Sequence, residues 1–354
     1  MVVRQRQKVA IFAALSAVAI LIGSVLVIRA QHTRPLAGTV AERGSSGETL
    51  APVAYVAAGD AGVQTLLAAP HYLTVRYPHH EGEPFSLEVV ARSDPSLPRA
   101  RTKLSCERVH FRANRGVCIL PPSNSLGTKA IVFDDKLHTV RTVDLLGSPS
   151  RVRVSNDAKY AATTNFISGH SYADTSFVTA TTFMELATGA SSNLESWDAF
   201  VGKRRIDDKK RNFWGVTFLS DDTFYATLGI GQKRYLMKGD PVTKTMLVIR
   251  NDTACPSVSP DGKRLTFRRA IVEPDGSTAI PLYLLDVTTG AEERLPEPLA
   301  IDDQPEWLDN HRIAYGTPTG PPNVVVIDVD ASGDARRPEV LIHDAVTVAT
   351  VGGG

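Results

Sequence analysis

An all-β chain of repeated four-stranded units, held behind one membrane-spanning helix, is what this sequence predicts. Three observations carry that expectation. The 354 residues include 26 glycines and 22 prolines set between short apolar runs, the texture of many strands and turns. Strand–turn–strand patterns recur at intervals of 40–50 residues through most of the chain. Near the N-terminus, residues 9–28 form an uninterrupted uncharged stretch.

That stretch, VAIFAALSAVAILIGSVLVI, has the length of a helix crossing the roughly 30 Å hydrocarbon layer. Arg4, Arg6 and Lys8 precede it with no acidic residue among them. The positive-inside bias then leaves residues 1–8 as a cytoplasmic tail and exports the bulk of the chain. A cleaved signal peptide is the competing reading. Its apolar core is usually only about 7–15 residues, ending at a small-residue cleavage site, whereas this run ends in Val27-Ile28-Arg29-Ala30-Gln31. Residues 29–52 lack apolar periodicity and read as a flexible linker, and 53–354 as the folded ectodomain. The expected localisation is the cell membrane, single-pass, with the folded part extracytoplasmic.

The first forty residues hold five basic residues and no acid, leaving 34 basic against 38 acidic from residue 41 onward. A mildly acidic ectodomain argues against nucleic acid as a partner, since binding phosphates demands a basic face. Of three cysteines, Cys106 and Cys118 flank one strand–turn–strand segment and are candidates for a disulfide in an oxidising compartment. Cys255 is then a lone buried thiol. The alternative is three small core residues.

The clearest repeat unit is residues 254–296. A short strand leads into Ser259-Pro260-Asp261-Gly262, a second strand follows to Phe267, a third covers 281–287, and Thr288-Thr289-Gly290 turns into a fourth. Similar openings lie around Asn114-Arg115, Asn156-Asp157, Asp221-Asp222 and Asp309-Asn310. The spacing predicts six units, at about 70–104, 105–149, 150–196, 213–250, 251–298 and 302–343, with an inserted polar loop at 191–212. Units of that size and strand count close into a β-propeller, here six-bladed, with seven blades left open. The first unit lacks an opening strand of its own, and either Val53–Ala57 or Ala345–Val351 is available to supply it.

The strings PSVSPDGKRLTF with LYLLDVTTGAEERL, and PEWLDNHRIAY with VVVIDVDASG, resemble the WD40-like repeats of TolB-type propellers. The resemblance implies the fold and says little of function, because the shared residues are turn formers and inward-facing apolars. TolB carries an α/β domain before its propeller, for which residues 29–52 are too short, and TolB is soluble rather than anchored.

Candidate chemistry is sparse. Asp328, Asp330, Ser332, Asp334 and Glu339, with Gly333 between, follow the spacing of an EF-hand calcium loop. The repeat also explains them as a turn between third and fourth strands, and flanking helices are missing. Gly169-His170-Ser171-Tyr172-Ala173 imitates a nucleophile elbow without its following helix and reads as a loop. His79-His80-Glu81 lacks metal-site spacing, and Asn251-Asp252-Thr253 is a formal glycosylation sequon. Trp307 reads as core, while Trp197, at the start of the inserted loop, reads as surface. Lys203-Arg204-Arg205 and Lys209-Lys210-Arg211 read as solvated loop, with lipid headgroups or an acidic partner as the functional alternative. No catalytic or cofactor-binding constellation emerges. The expected function is a scaffold binding an envelope protein or peptide. The alternative is a hydrolase or lactonase whose polar or metal-binding residues converge in the central channel.

Overall fold

The computed structural model describes residues 53–352 apart from 57–59, 81, 123–126, 170–171, 173–176, 221, 297–302 and 318–321. The apolar stretch 9–28 and the linker lie outside the described residues, among which no helix is long and apolar enough to cross a membrane.

Six antiparallel sheets follow one another along the chain as the blades of a propeller. Blade 2 uses Arg108–Arg112, Arg115–Ile119, Gly127–Phe133 and Thr139–Leu146; blade 3 uses Ser148–Val154, Tyr160–Ser168, Val178–Glu185 and Ser191–Asn193. Blade 4 is built on Asn212–Ser220, Thr223–Ile230, Lys233–Asp240 and Thr245–Asn251. Blade 5 uses Ala254–Val258, Arg264–Arg268, Leu282–Asp286 and Glu292–Arg294, and blade 6 Glu306–Trp307, Arg312–Gly316, Asn323–Asp328 and Glu339–His343. First strands of successive blades pack on one another, so they line the centre.

Blade 1 settles the open question of closure. Its strands His71–Arg76, Ser86–Ala91 and Ala100–Arg101 receive their innermost neighbour from Val348–Val351, with His71 opposite Val351 and Thr74 opposite Val348. Val53–Ala57 takes a different place: Tyr55 forms a single parallel bridge to Arg99 at the outer side of that blade. Closing the sheet with a distant strand removes an exposed edge and makes a ring.

Apolar clusters fill the spaces between blades. Phe111 and Val109 of blade 2 pack with Leu73 and Val89 of blade 1, and Tyr72 of blade 1 with Ala314 and Ile342 of blade 6. The inner strands of the blades therefore bury both faces, which is why their sequences show short apolar runs rather than strict alternation. Two glycines are dictated by this packing. A Cβ at Gly116 would lie within 2.1 Å of the Phe133 ring, and one at Gly239 within 2.2 Å of the Phe224 ring. In both cases the aromatic side chain lies across the glycine paired with it on the adjoining strand.

The repeat residues do structural work at the turns. Asp261 accepts from the Ser259 hydroxyl and the Lys263 N–H, while Ser259 Oγ accepts from the Arg264 N–H. Ser155 and Asp157 reproduce all three bonds in blade 3. Between third and fourth strands, Asp286 Oδ1 accepts from the N–H groups of Thr288 and Thr289, both at 2.8 Å, and Asp240 Oδ1 accepts from Val242 and Thr243. These side-chain-to-backbone bonds make the turns locally specified.

Three features depart from the sequence reading. Residues 191–212 are folded: Ser191–Asn193 completes blade 3, and Asp198–Val201 pairs in parallel with the outer strand of blade 4, followed by Arg204–Arg205 as a hairpin. The Glu195 carboxylate accepts from the N–H groups of Thr181 (3.0 Å) and Phe213 (3.1 Å), joining blades 3 and 4. Trp197 is consequently core, 3 % exposed among Phe183, Phe224 and Met246, with its ring N–H donating to Ser192 Oγ. Finally, a short helix, Asp60–Leu67, rests Val63, Leu66 and Leu67 against the cluster between blades 1 and 2. At eight residues it is too brief to leave a clear period in the sequence.

Candidate binding site in the central channel

The inner strands of blades 2 and 3 read Arg-Val-His-Phe-Arg (108–112) and Arg-Val-Arg-Val (151–154). Their apolar positions enter the clusters between blades, which leaves the alternate, charged positions to meet near the axis. A small cavity opens there, lined by His110, Arg112, Arg153, Thr217, Ser257 and Glu306, with a volume of about 30 Å³. That is room for two or three waters or a small anionic group.

Glu306, from the inner strand of blade 6, is the hub. Its Oε1 accepts from Arg112 Nη2. Its Oε2 lies 3.1 Å from His110 Nε2 and 3.6 Å from Arg153 Nε. Burial alone would raise this carboxyl, but the charges of Arg112, His110 and Arg153 outweigh it and hold Glu306 well below the usual carboxylate range. The Val154 N–H points at His110 Nδ1, 3.0 Å away, so that nitrogen is the acceptor and the ring proton sits on Nε2, donated to Glu306. Burial pushes His110 down to about 4, which leaves it neutral at pH 7. Arg153 spends its remaining donors on the carbonyls of Val152, Gln304 and Pro305 at 2.9–3.1 Å. The cavity wall is thus rigid, and two guanidinium groups face one carboxylate.

A second array continues along the same strands. Arg108 donates to the Ser150 carbonyl at 2.8 Å and to the Tyr77 hydroxyl. Arg151 Nε lies 3.8 Å from Asp303 Oδ1, and Arg268 Nε donates to the Asp303 carbonyl. Gln304 Nε2 bridges the Val216 and Pro256 carbonyls, tying blades 4 and 5 to the start of blade 6. Next to Arg108, Glu107 is 1 % exposed and neither of its carboxyl oxygens has a hydrogen-bond partner among the described residues. Burial, opposed only by Arg108, pushes it up to about 7.

The residues singled out in the sequence lie elsewhere. Asp328 accepts from the Asp330 N–H, the same turn bond that Asp240 and Asp286 make. Asp330 is held by Arg264 at 2.5 Å and by His311, and Asp334 pairs with Arg337. Ser332 precedes a short 3₁₀ turn, Gly333–Arg336, and Glu339 starts the next strand. Among the described residues no three His, Cys, Asp or Glu side chains are grouped to hold a metal. His79 Nε2 lies 2.8 Å from Asp344 Oδ1, Arg76 Nε donates to Asp344 Oδ2, and Glu81 lies outside the described residues. His170, Ser171 and Ala173 also lie outside them, while Tyr172 stacks on Trp214 at 5.1 Å and meets Ser150 Oγ with its hydroxyl. Cys106 and Cys118 form a disulfide with Cα atoms 5.4 Å apart, and Cys255 is buried outside that disulfide. Trp307 is buried and donates to the Ser257 carbonyl.

Comparison with solved structures agrees with the ring just described. TolB from Acinetobacter baumannii superposes with a TM-score of 0.52 at 15% identity, covering 80% of this chain and 67% of that one. The fold is that of a TolB-like β-propeller. A putative TolB from Agrobacterium tumefaciens gives 0.46 at 11% identity over 77% of this chain and 89% of that one. A putative 6-phosphogluconolactonase from Bacteroides fragilis gives 0.42 at 10% over 77% and 80%. No family model matches the chain, and no curated protein matches it.

The sequence reading missed His110, Arg112, Arg153 and Glu306. A signal for three of them was present. Charged residues alternating with apolars in a strand that opens a propeller unit are bound for a buried axis, where they require partners.

Proposed function

We propose that the chain is a membrane-tethered, extracytoplasmic propeller that acts as a scaffold, holding an acidic protein segment or a carboxylate-bearing ligand at the mouth of its channel. The observation that carries this reading is the preformed wall around Glu306. Two arginines fixed against one carboxylate, beside a neutral histidine, leave a surplus positive charge at an opening within an otherwise mildly acidic domain. Groups already locked by mutual hydrogen bonds suit binding, where preorganisation limits the entropy lost. The uncharged stretch 9–28 supports the tether, and the Cys106–Cys118 disulfide suits an oxidising compartment.

Crosslinking and capture from membranes tests the reading, with the full chain beside Arg112→Glu. A reproducible envelope partner that the variant loses while keeping its melting temperature supports the scaffold. Equal capture by both removes the channel mouth from the proposal.

A hydrolase or lactonase is the second reading, favoured by Glu107 alone. A buried carboxyl raised to about 7 sits where general acid–base work is efficient. Turnover of an ester or lactone by the purified chain, abolished in Glu107→Gln, is the outcome it requires.

A further inference from the structure

The insertion in blade 4 has a second consequence. Arg211 anchors its base by donating to the carbonyls of Glu195, Trp197 and Ile206 at 2.8–3.1 Å. Asp198–Val201 lies against the outer strand of the blade in parallel register, Phe200 opposite Leu247. A rigid base thus carries an exposed hairpin, Val201-Gly202-Lys203-Arg204, that contributes nothing to the core. Arg205 is neutralised by Asp198 and Asp207, and Asp208 caps the Lys210 N–H. Lys203, Arg204, Lys209 and Lys210 are all exposed, and none has an ionic partner among the described residues. Across the hairpin from Arg204, Val201 exposes an apolar side chain, 40 % accessible.

We infer that this edge of blade 4 docks on the surface of a bilayer containing anionic phospholipid. Four uncommitted cations on a domain with more acidic than basic residues form a local field of the opposite sign to the rest. An apolar side chain at the tip of a cationic hairpin favours a lipid interface, where both find partners at one depth, over an acidic protein surface, which satisfies only the charges. The inference leans on the proposed tether for reach alone: 24 linker residues span at most about 80 Å when extended. The channel plays no part in it.

Ala41–Gly354 forms one compact unit whose ring is closed by its own strands, so that unit is tested without the apolar stretch. The assay is co-sedimentation with vesicles of phosphatidylcholine alone and of phosphatidylcholine with 30% phosphatidylglycerol. Binding only to the anionic vesicles, weakening as salt rises, is expected. Lys203→Ala with Arg204→Ala is expected to weaken it about 25-fold, about fivefold per charge. Val201→Ser is expected to weaken it at every salt concentration. Equal binding to both vesicle types, or unchanged binding by the double variant, overturns the inference. So does absence of vesicle binding alongside capture of an acidic protein that the same double variant loses. Arg112-dependent capture is a separate readout, so failure here leaves the channel reading standing.

Discussion

Glu107 and His110 sit three residues apart and titrate against each other. Glu107 is buried without a partner and raised to about 7 from 4.5, so the folded chain holds a proton that the unfolded chain releases from pH 4.5 upward. Stability from this group is therefore lost as pH rises toward 7. His110 is lowered to about 4 from 6.5, so the unfolded chain takes up a proton that the folded chain refuses. Stability from that group is present above pH 6.5 and is lost as pH falls toward 4. At about 1.36 kcal/mol per unit, going from pH 5 to pH 8 removes about 2–3 kcal/mol through Glu107 and returns about 2 kcal/mol through His110. The two nearly cancel, and Glu107→Gln exposes the imbalance. The variant's stability relative to wild type is expected to rise by about 2–3 kcal/mol between pH 5 and pH 8, whatever fixed cost the amide brings, because that cost is common to both pH values. Guanidinium denaturation of both proteins at each pH gives the double difference directly. A stability difference that is the same at pH 5 and pH 8 would refute the reasoning, since it would mean that Glu107 titrates normally.

Trp197→Ala is expected to cost about 3–5 kcal/mol, a core loss rather than a surface one, read as a lower denaturation midpoint. Removing the disulfide with Cys106→Ser and Cys118→Ser is expected to cost about 2–4 kcal/mol, and reductant should shift the wild type but not the variant. Gly239→Ala forces a methyl into the Phe224 ring and is expected to cost about 1–3 kcal/mol by calorimetry, with no effect on partner capture. Glu306→Ala leaves Arg112 and Arg153 without their shared carboxylate and is expected to cost about 3–5 kcal/mol. Trimming Arg112 as well should recover part of that loss in the same denaturation series.

The blades were legible because their turns are local. Ser259 and Asp261, or Ser155 and Asp157, fix the chain direction within six residues, so the sequence displays the unit without help from the rest of the ring. The blade 4 hairpin was not legible, because its strand is stabilised by a parallel neighbour 47 residues away rather than by a turn. Its charges, read alone, look like solvent-exposed loop. Trp197 misled for the same reason. The channel array was harder still: His110 meets Glu306 across 196 residues, and only closure of the ring makes them neighbours. Even the choice between Val53–Ala57 and Ala345–Val351 turned on that closure, since both are short apolar segments of similar composition.

Pairing of His71 with Val351 also bears on the order of events during folding. Blade 1 is short of its innermost strand until residues 348–351 join it, so the ring is not sealed before that segment pairs. Loop closure over 280 residues comes last and is slow relative to hairpin formation. A chain cut before residue 348 presents an open inner edge beside Arg76 and Thr74, a template for a strand from another molecule. Val348–Val351 therefore covers the one edge through which a shortened chain would recruit a strand from another molecule.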